Sequence, residues 1–96
     1  MGEVTYSLRA ARDLTRQLDR IRESSPSGAR RVLADIEHTA SLLADHLVSG
    51  PRVPGSRVSR KFTTRRYRYK LVYRFTAEGI EVLQIIHPRQ DASTAR

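Results

Sequence analysis

Residues 67–76 read YRYKLVYRFT, and the alternation within them decides the fold. Tyr67, Tyr69, Leu71, Tyr73 and Phe75 take every second position, with Arg68, Lys70, Val72 and Arg74 between them. Successive side chains of an extended strand point to opposite faces. One face of this strand is therefore expected to enter a core and the other to carry a largely cationic set. The three tyrosines fall on the core side with Leu71 and Phe75, which argues against their use as base-stacking platforms.

The segments on either side extend the same pattern. Ala77-Glu78-Gly79 has hairpin-turn chemistry. Residues 80–87 are apolar at both parities, which predicts a central strand. Upstream, 58–62 reads as a further strand after the loop 50–57, GPRVPGSR. The N-terminal half changes period. Residues 3–7 read as a short strand. Ser7 then caps a helix over 8–23, whose buried stripe is Ala11, Leu14, Leu18 and Ile21. SSPSG at 24–28 breaks it, and Ser25 with Pro26 opens a second helix over 26–48, closed by Gly50-Pro51. Its stripe is Ala29, Val32, Leu33, Ile36, Ala40, Leu43 and Leu47. Arg9, Arg12, Arg16 and Arg20 line another face of the first helix, where Arg9 and Asp13 form the one opposite-charge pair a turn apart. The order strand, helix, helix, strand, strand, strand predicts an α+β domain over 1–91. A two-helix hairpin would pack on one face of an antiparallel sheet, and 92–96 would form a flexible tail.

Charge is segregated. Residues 1–48 hold seven arginines and seven acids, whereas 49–96 hold eleven Lys and Arg against three acids, so the net +8 lies in the second half. A neutral half followed by a basic half implies a polyanion or an acidic protein as partner. Arg60, Lys61, Arg65, Arg66, Arg68, Lys70 and Arg74, with Arg89 beyond the last strand, are the expected binding face. Cysteine is absent, which excludes disulfides and thiolate metal sites. His38, His46 and His87 have no ligand-like spacing, so neither a metal nor a cofactor is expected. No apolar run is long enough to span a membrane, MGEVTYSL has no secretory pattern, and the expected location is the cytoplasm.

The stretch 69–75, the acid-Gly turn, and 81–91 (EVLQIIHPRQD) resemble the C-terminal half of the ParE/RelE superfamily of toxins, with its aromatic-basic strand and its closing H-x-R-x-D. The Ser-capped helix with Ala10, Asp13 and Leu14, and the second helix opened by Pro26, resemble the N-terminal half. The resemblance implies a two-layer α+β toxin paired with a cognate antitoxin in a hetero-oligomer. Within the superfamily, RelE-like members imply a ribosome-dependent endoribonuclease acting on mRNA. Lys61, Arg65, Lys70 and Arg74 would then neutralise the scissile phosphate, while His87 or Arg89 handled protons. ParE-like members imply a non-enzymatic inhibitor of DNA gyrase. Many RelE-like chains carry a Tyr shortly after the terminal His-Arg pair, and His87-Pro88-Arg89-Gln90-Asp91-Ala92 has none. That departure favours the ParE-like branch.

Overall fold

The computed structural model describes residues 1–90; Asp91 and the expected tail at 92–96 lie outside the described residues. The elements are β1 (Glu3–Tyr6), α1 (Leu8–Ser24), α2 (Pro26–Ala44), β2 (Arg60–Thr63), β3 (Lys70–Phe75) and β4 (Gly79–Ile86). Both helices cover one face of a four-stranded sheet with the order β1-β4-β3-β2. Ile36, Leu43, Leu71, Tyr73, Ile80 and Val82 are its fully buried centre.

The sheet is mixed, which corrects the antiparallel expectation: β1 pairs with β4 in parallel, while β2–β3 and β3–β4 are antiparallel. The helical hairpin is the cause. The end of α2 returns to the start of β1, where Gly2 packs against the Ala44 carbonyl and its N–H donates to Asp45. Three antiparallel strands then run out, back and out. The last lies beside β1 in the same direction.

The junctions follow local chemistry. Ser7 Oγ accepts the Ala10 N–H at 3.1 Å and its hydroxyl reaches the Leu83 carbonyl at 3.1 Å, so one side chain caps α1 and ties it to β4. Ser25 serves both helices. Its N–H donates to Ile21 O, its Oγ accepts from Gly28 N, and the break expected over 24–28 shrinks to this one residue. α2 stops at Ala44, four residues before the expected Val48. The stop is a left-handed His46 (φ 58°), with the Leu47 N–H bonded to Leu42 O and the His46 N–H to Leu43 O. His46 stacks on Phe75 at 5.0 Å. Leu47, expected in the buried stripe, is exposed.

The alternation in 69–75 is realised. Tyr69, Leu71 and Tyr73 are buried under the helices, while Lys70, Val72 and Arg74 face the other way. Strand β3 begins at Lys70 and not at Tyr67, because residues 64–69 form the β2–β3 loop. In β4, Val72 pairs with Gln84 and Tyr73 with Val82, leaving Leu83 as a bulge. The bulge switches parity, so Val82 and Ile85 both reach the core although three positions apart. A central strand that looks apolar on both faces is thus partly one face read across a bulge.

Beyond Val82, β4 has outrun β1, whose last paired residue is Tyr6. The buried Asp13 of α1 takes over there: one carboxylate oxygen accepts the Ile85 N–H at 3.1 Å and the other accepts from Arg16 at 2.9 Å. Asp13→Ala leaves that amide buried without an acceptor, which costs about 1–3 kcal/mol. Urea unfolding should shift by that amount and the Ile85 amide should lose hydrogen-exchange protection; an unchanged midpoint would refute the role given to Asp13.

Candidate functional site

The residues expected to form one basic face divide into four places. Lys61 of β2 and Lys70 and Arg74 of β3 stand on the sheet face away from the helices, as their pairing with Val72, Ile86 and Glu81 requires. That face is not uniformly cationic, because Arg74 Nε donates to Glu81 Oε1 at 2.8 Å across the strands. Arg60 is opposite Tyr73 and lies on the helix side. Its guanidinium donates to the Gly50 carbonyl at 2.8 Å and sits 5.6 Å from the Phe75 ring centroid. The Gly50 N–H donates in turn to the Tyr73 hydroxyl at 2.9 Å. A Cβ at Gly50 would meet the Lys61 carbonyl at 1.8 Å, so only glycine fits this clamp. Arg60 is therefore engaged in holding the loop before β2.

Arg65, Arg66 and Arg68 are on the β2–β3 loop and not on strands. The loop is held from below. The Thr64 N–H donates to Tyr69 O at 2.7 Å, and the Tyr69 N–H donates to Thr64 Oγ1 at 3.1 Å, with Thr64 fully buried. Asp35, buried on α2, accepts the N–H groups of Tyr67 at 2.8 Å and Arg66 at 3.3 Å. Arg68 has φ 65°. That left-handed conformation costs a non-glycine residue about 1–2 kcal/mol. Among the described residues no carboxylate lies within ion-pair distance of Arg65, Arg66 or Arg68.

His87 and Arg89 follow β4 and share a groove of about 410 Å³ with Arg16, Gln17 and Arg20 of α1. Lys61 and Arg74, grouped with His87 in the ribonuclease reading, stand on the other side of the sheet. His87 packs edge-on to Tyr69 at 5.4 Å, and its Nδ1 accepts the Arg89 N–H at 3.0 Å. Its pKa is lowered below the ordinary 6.5, first by burial and then by the charges of Arg89 and Arg20. The neutral ring thus carries its proton on Nε2 and spends its basic nitrogen on its own turn. Pro88 adjoins Thr63, Arg68 and Lys70. The loop, the start of β3 and the end of β4 therefore meet at one end of the sheet.

The two aspartates were the residues that sequence reasoning missed in this role. Asp13 appeared only as a partner for Arg9, which is 3.8 Å away, and as part of the N-terminal family resemblance, and Asp35 not at all. An acid on the apolar side of an amphipathic helix was the available signal. The arginine ridge of α1 is also more paired than expected, since Arg16 meets Asp13 at 2.9 Å; off the ridge, Arg22 meets Asp19 at 2.6 Å, and both pairs have a spacing of three.

A family model described as the ParE toxin of the type II toxin-antitoxin system parDE matches residues 4–92. Among solved structures, a chain of the chromosomal ParDE toxin-antitoxin system from P. aeruginosa superposes with a TM-score of 0.71 at 22% identity, covering 91% of this chain and 96% of that one. At that identity the likeness is one of fold. No curated protein matches the chain by sequence.

The lowered His87 pKa gives a signed pH dependence. Between the folded value and 6.5 the folded chain binds fewer protons than the unfolded one. The stability linked to this group is therefore complete above 6.5 and is lost as pH falls through the folded value. An NMR titration of the imidazole should give a midpoint below 6.5, and His87→Gln should flatten part of the acid decline in stability. A midpoint at or above 6.5 would contradict the neutral, acceptor form.

Proposed function

The chain belongs to the ParE toxin family of type II toxin-antitoxin systems, and from that premise we propose that it arrests growth by binding DNA gyrase and is silenced by a cognate antitoxin. The observation that carries the reading is the extent of the family match, which runs from β1 to beyond the His87-Pro88-Arg89 turn. The engagement of His87 with its own turn, and the separation of Lys61 and Arg74 from it, support inhibition by binding over proton-transfer chemistry.

The contact surface in this proposal is the cationic end of the sheet: Arg65, Arg66 and Arg68 on the loop, Lys61 and Lys70 on the open face, and Arg89 after β4. Arg60 and Arg74 play supporting parts, one holding Gly50 and the other paired with Glu81. The setting is the cytoplasm, where gyrase and the antitoxin are found; no helix among the described residues is long and apolar enough to cross a membrane. Toxin and antitoxin form a hetero-oligomer.

Supercoiling by purified gyrase should stop at micromolar concentrations of the chain and resume when the product of the neighbouring reading frame is added. Gyrase that remains fully active at micromolar excess would remove the proposal. Messenger 5′ ends mapped on translating ribosomes should be unchanged.

A further inference from the structure

The β2–β3 loop places arginine where the backbone favours glycine or asparagine. Arg68 is left-handed at φ 65°, and the preceding amides of Arg66 and Tyr67 are fixed by the buried Asp35 carboxylate. Thr64 and Tyr69 close the base of the loop. Three exposed guanidiniums therefore project from a rigid tip in a conformation that stability alone would not select.

The surroundings favour one kind of ligand. Protein interfaces have an apolar, charge-depleted centre, whereas nucleic-acid interfaces are polar and cationic. The large exposed apolar residues among those described are Met1, Leu8, Leu47 and Val58, and none belongs to this loop. The groove beside it is lined by Thr63, Arg68, Lys70 and Pro88 and is mostly polar. A phosphodiester backbone needs only well-placed cations and donors, and the fork of an arginine matches a phosphate.

We infer that the loop carrying Arg65, Arg66 and Arg68 is a binding site for the phosphate backbone of duplex DNA. The choice of duplex DNA rests on the gyrase reading, since a chain docked on that enzyme lies beside its DNA substrate. In that arrangement Lys61, Lys70 and Arg89 are the part of the cationic end that meets gyrase itself, while the loop with Arg65, Arg66 and Arg68 grips the DNA strand the enzyme holds.

The experiment is fluorescence anisotropy of the full chain with a labelled duplex of about 25 base pairs, in 50–200 mM salt and without gyrase, a range over which phosphate contacts are resolved. Three phosphate contacts predict that log affinity falls with log salt with a slope of about −2 to −3. Arg68→Asn, whose new side chain tolerates the left-handed backbone, should reduce that slope by about 1 and weaken binding several-fold at low salt. Its Tm should be no lower than that of the unaltered chain. No binding to the duplex, or a slope unchanged by Arg68→Asn, overturns the assignment. So does a polyglutamate peptide that binds with the same slope and loses as much on Arg68→Asn, because the loop would then read acidic protein. Gyrase inhibition that persists without DNA binding removes this site and leaves the gyrase reading standing; DNA binding without gyrase inhibition does the reverse.

Discussion

The carboxylate of Asp13 on the Ile85 amide holds the two layers in register. Strand β4 is the longest of the four and lies inside the sheet, yet its neighbour β1 is only four residues long. Past Val82 the backbone of β4 would be buried under α1 with an amide facing no strand. Such an amide must be satisfied, because burying it unpaired costs as much as several ordinary contacts gain. Ser7 at the N-cap and Asp13 in the second turn of α1 answer this, one through Leu83 O and the other through Ile85 N. The helix is thereby locked over β4, and Ser25 carries that placement to α2 through a single-residue joint.

Asp35 does for the β2–β3 loop what Asp13 does for β4. Each is a buried acid on a helix that reaches across the layer to accept sheet or loop N–H groups. The shared device explains how a small chain fixes the backbone of an arginine-rich end, with Tyr67 and Tyr69 packed on the core beneath it. It also sorts the cations. Arg16, Arg22, Arg60 and Arg74 are occupied within the fold, whereas Arg65, Arg66 and Arg68 are presented outward from a fixed backbone.

Much of the fold was legible because it depends on periodicity. The alternation from Tyr69 to Phe75, the Ser25-Pro26 helix start and the apolar β4 are local signals, and each element formed within a few residues of its expected span. Boundaries moved where an unusual residue did a familiar task. His46 ended α2 in the left-handed position normally taken by glycine, and Arg68 did likewise in the loop, so neither announced a stop. The hidden parity switch at Leu83 also left no mark in the sequence, since both parities of the strand carry apolar residues, Val82 and Ile86 on one and Leu83 and Ile85 on the other.

By itself the sequence determined the two-layer α+β class, the charge asymmetry and the family resemblance, because side-chain period and composition are properties of neighbours along the chain. Only the tertiary structure decided that β1 runs parallel to β4, that Arg60 serves Gly50, and that His87 meets Arg20 rather than Lys61. Those outcomes depend on which backbone groups remain unpaired once the layers close. That is a long-range condition, and no local window contains it.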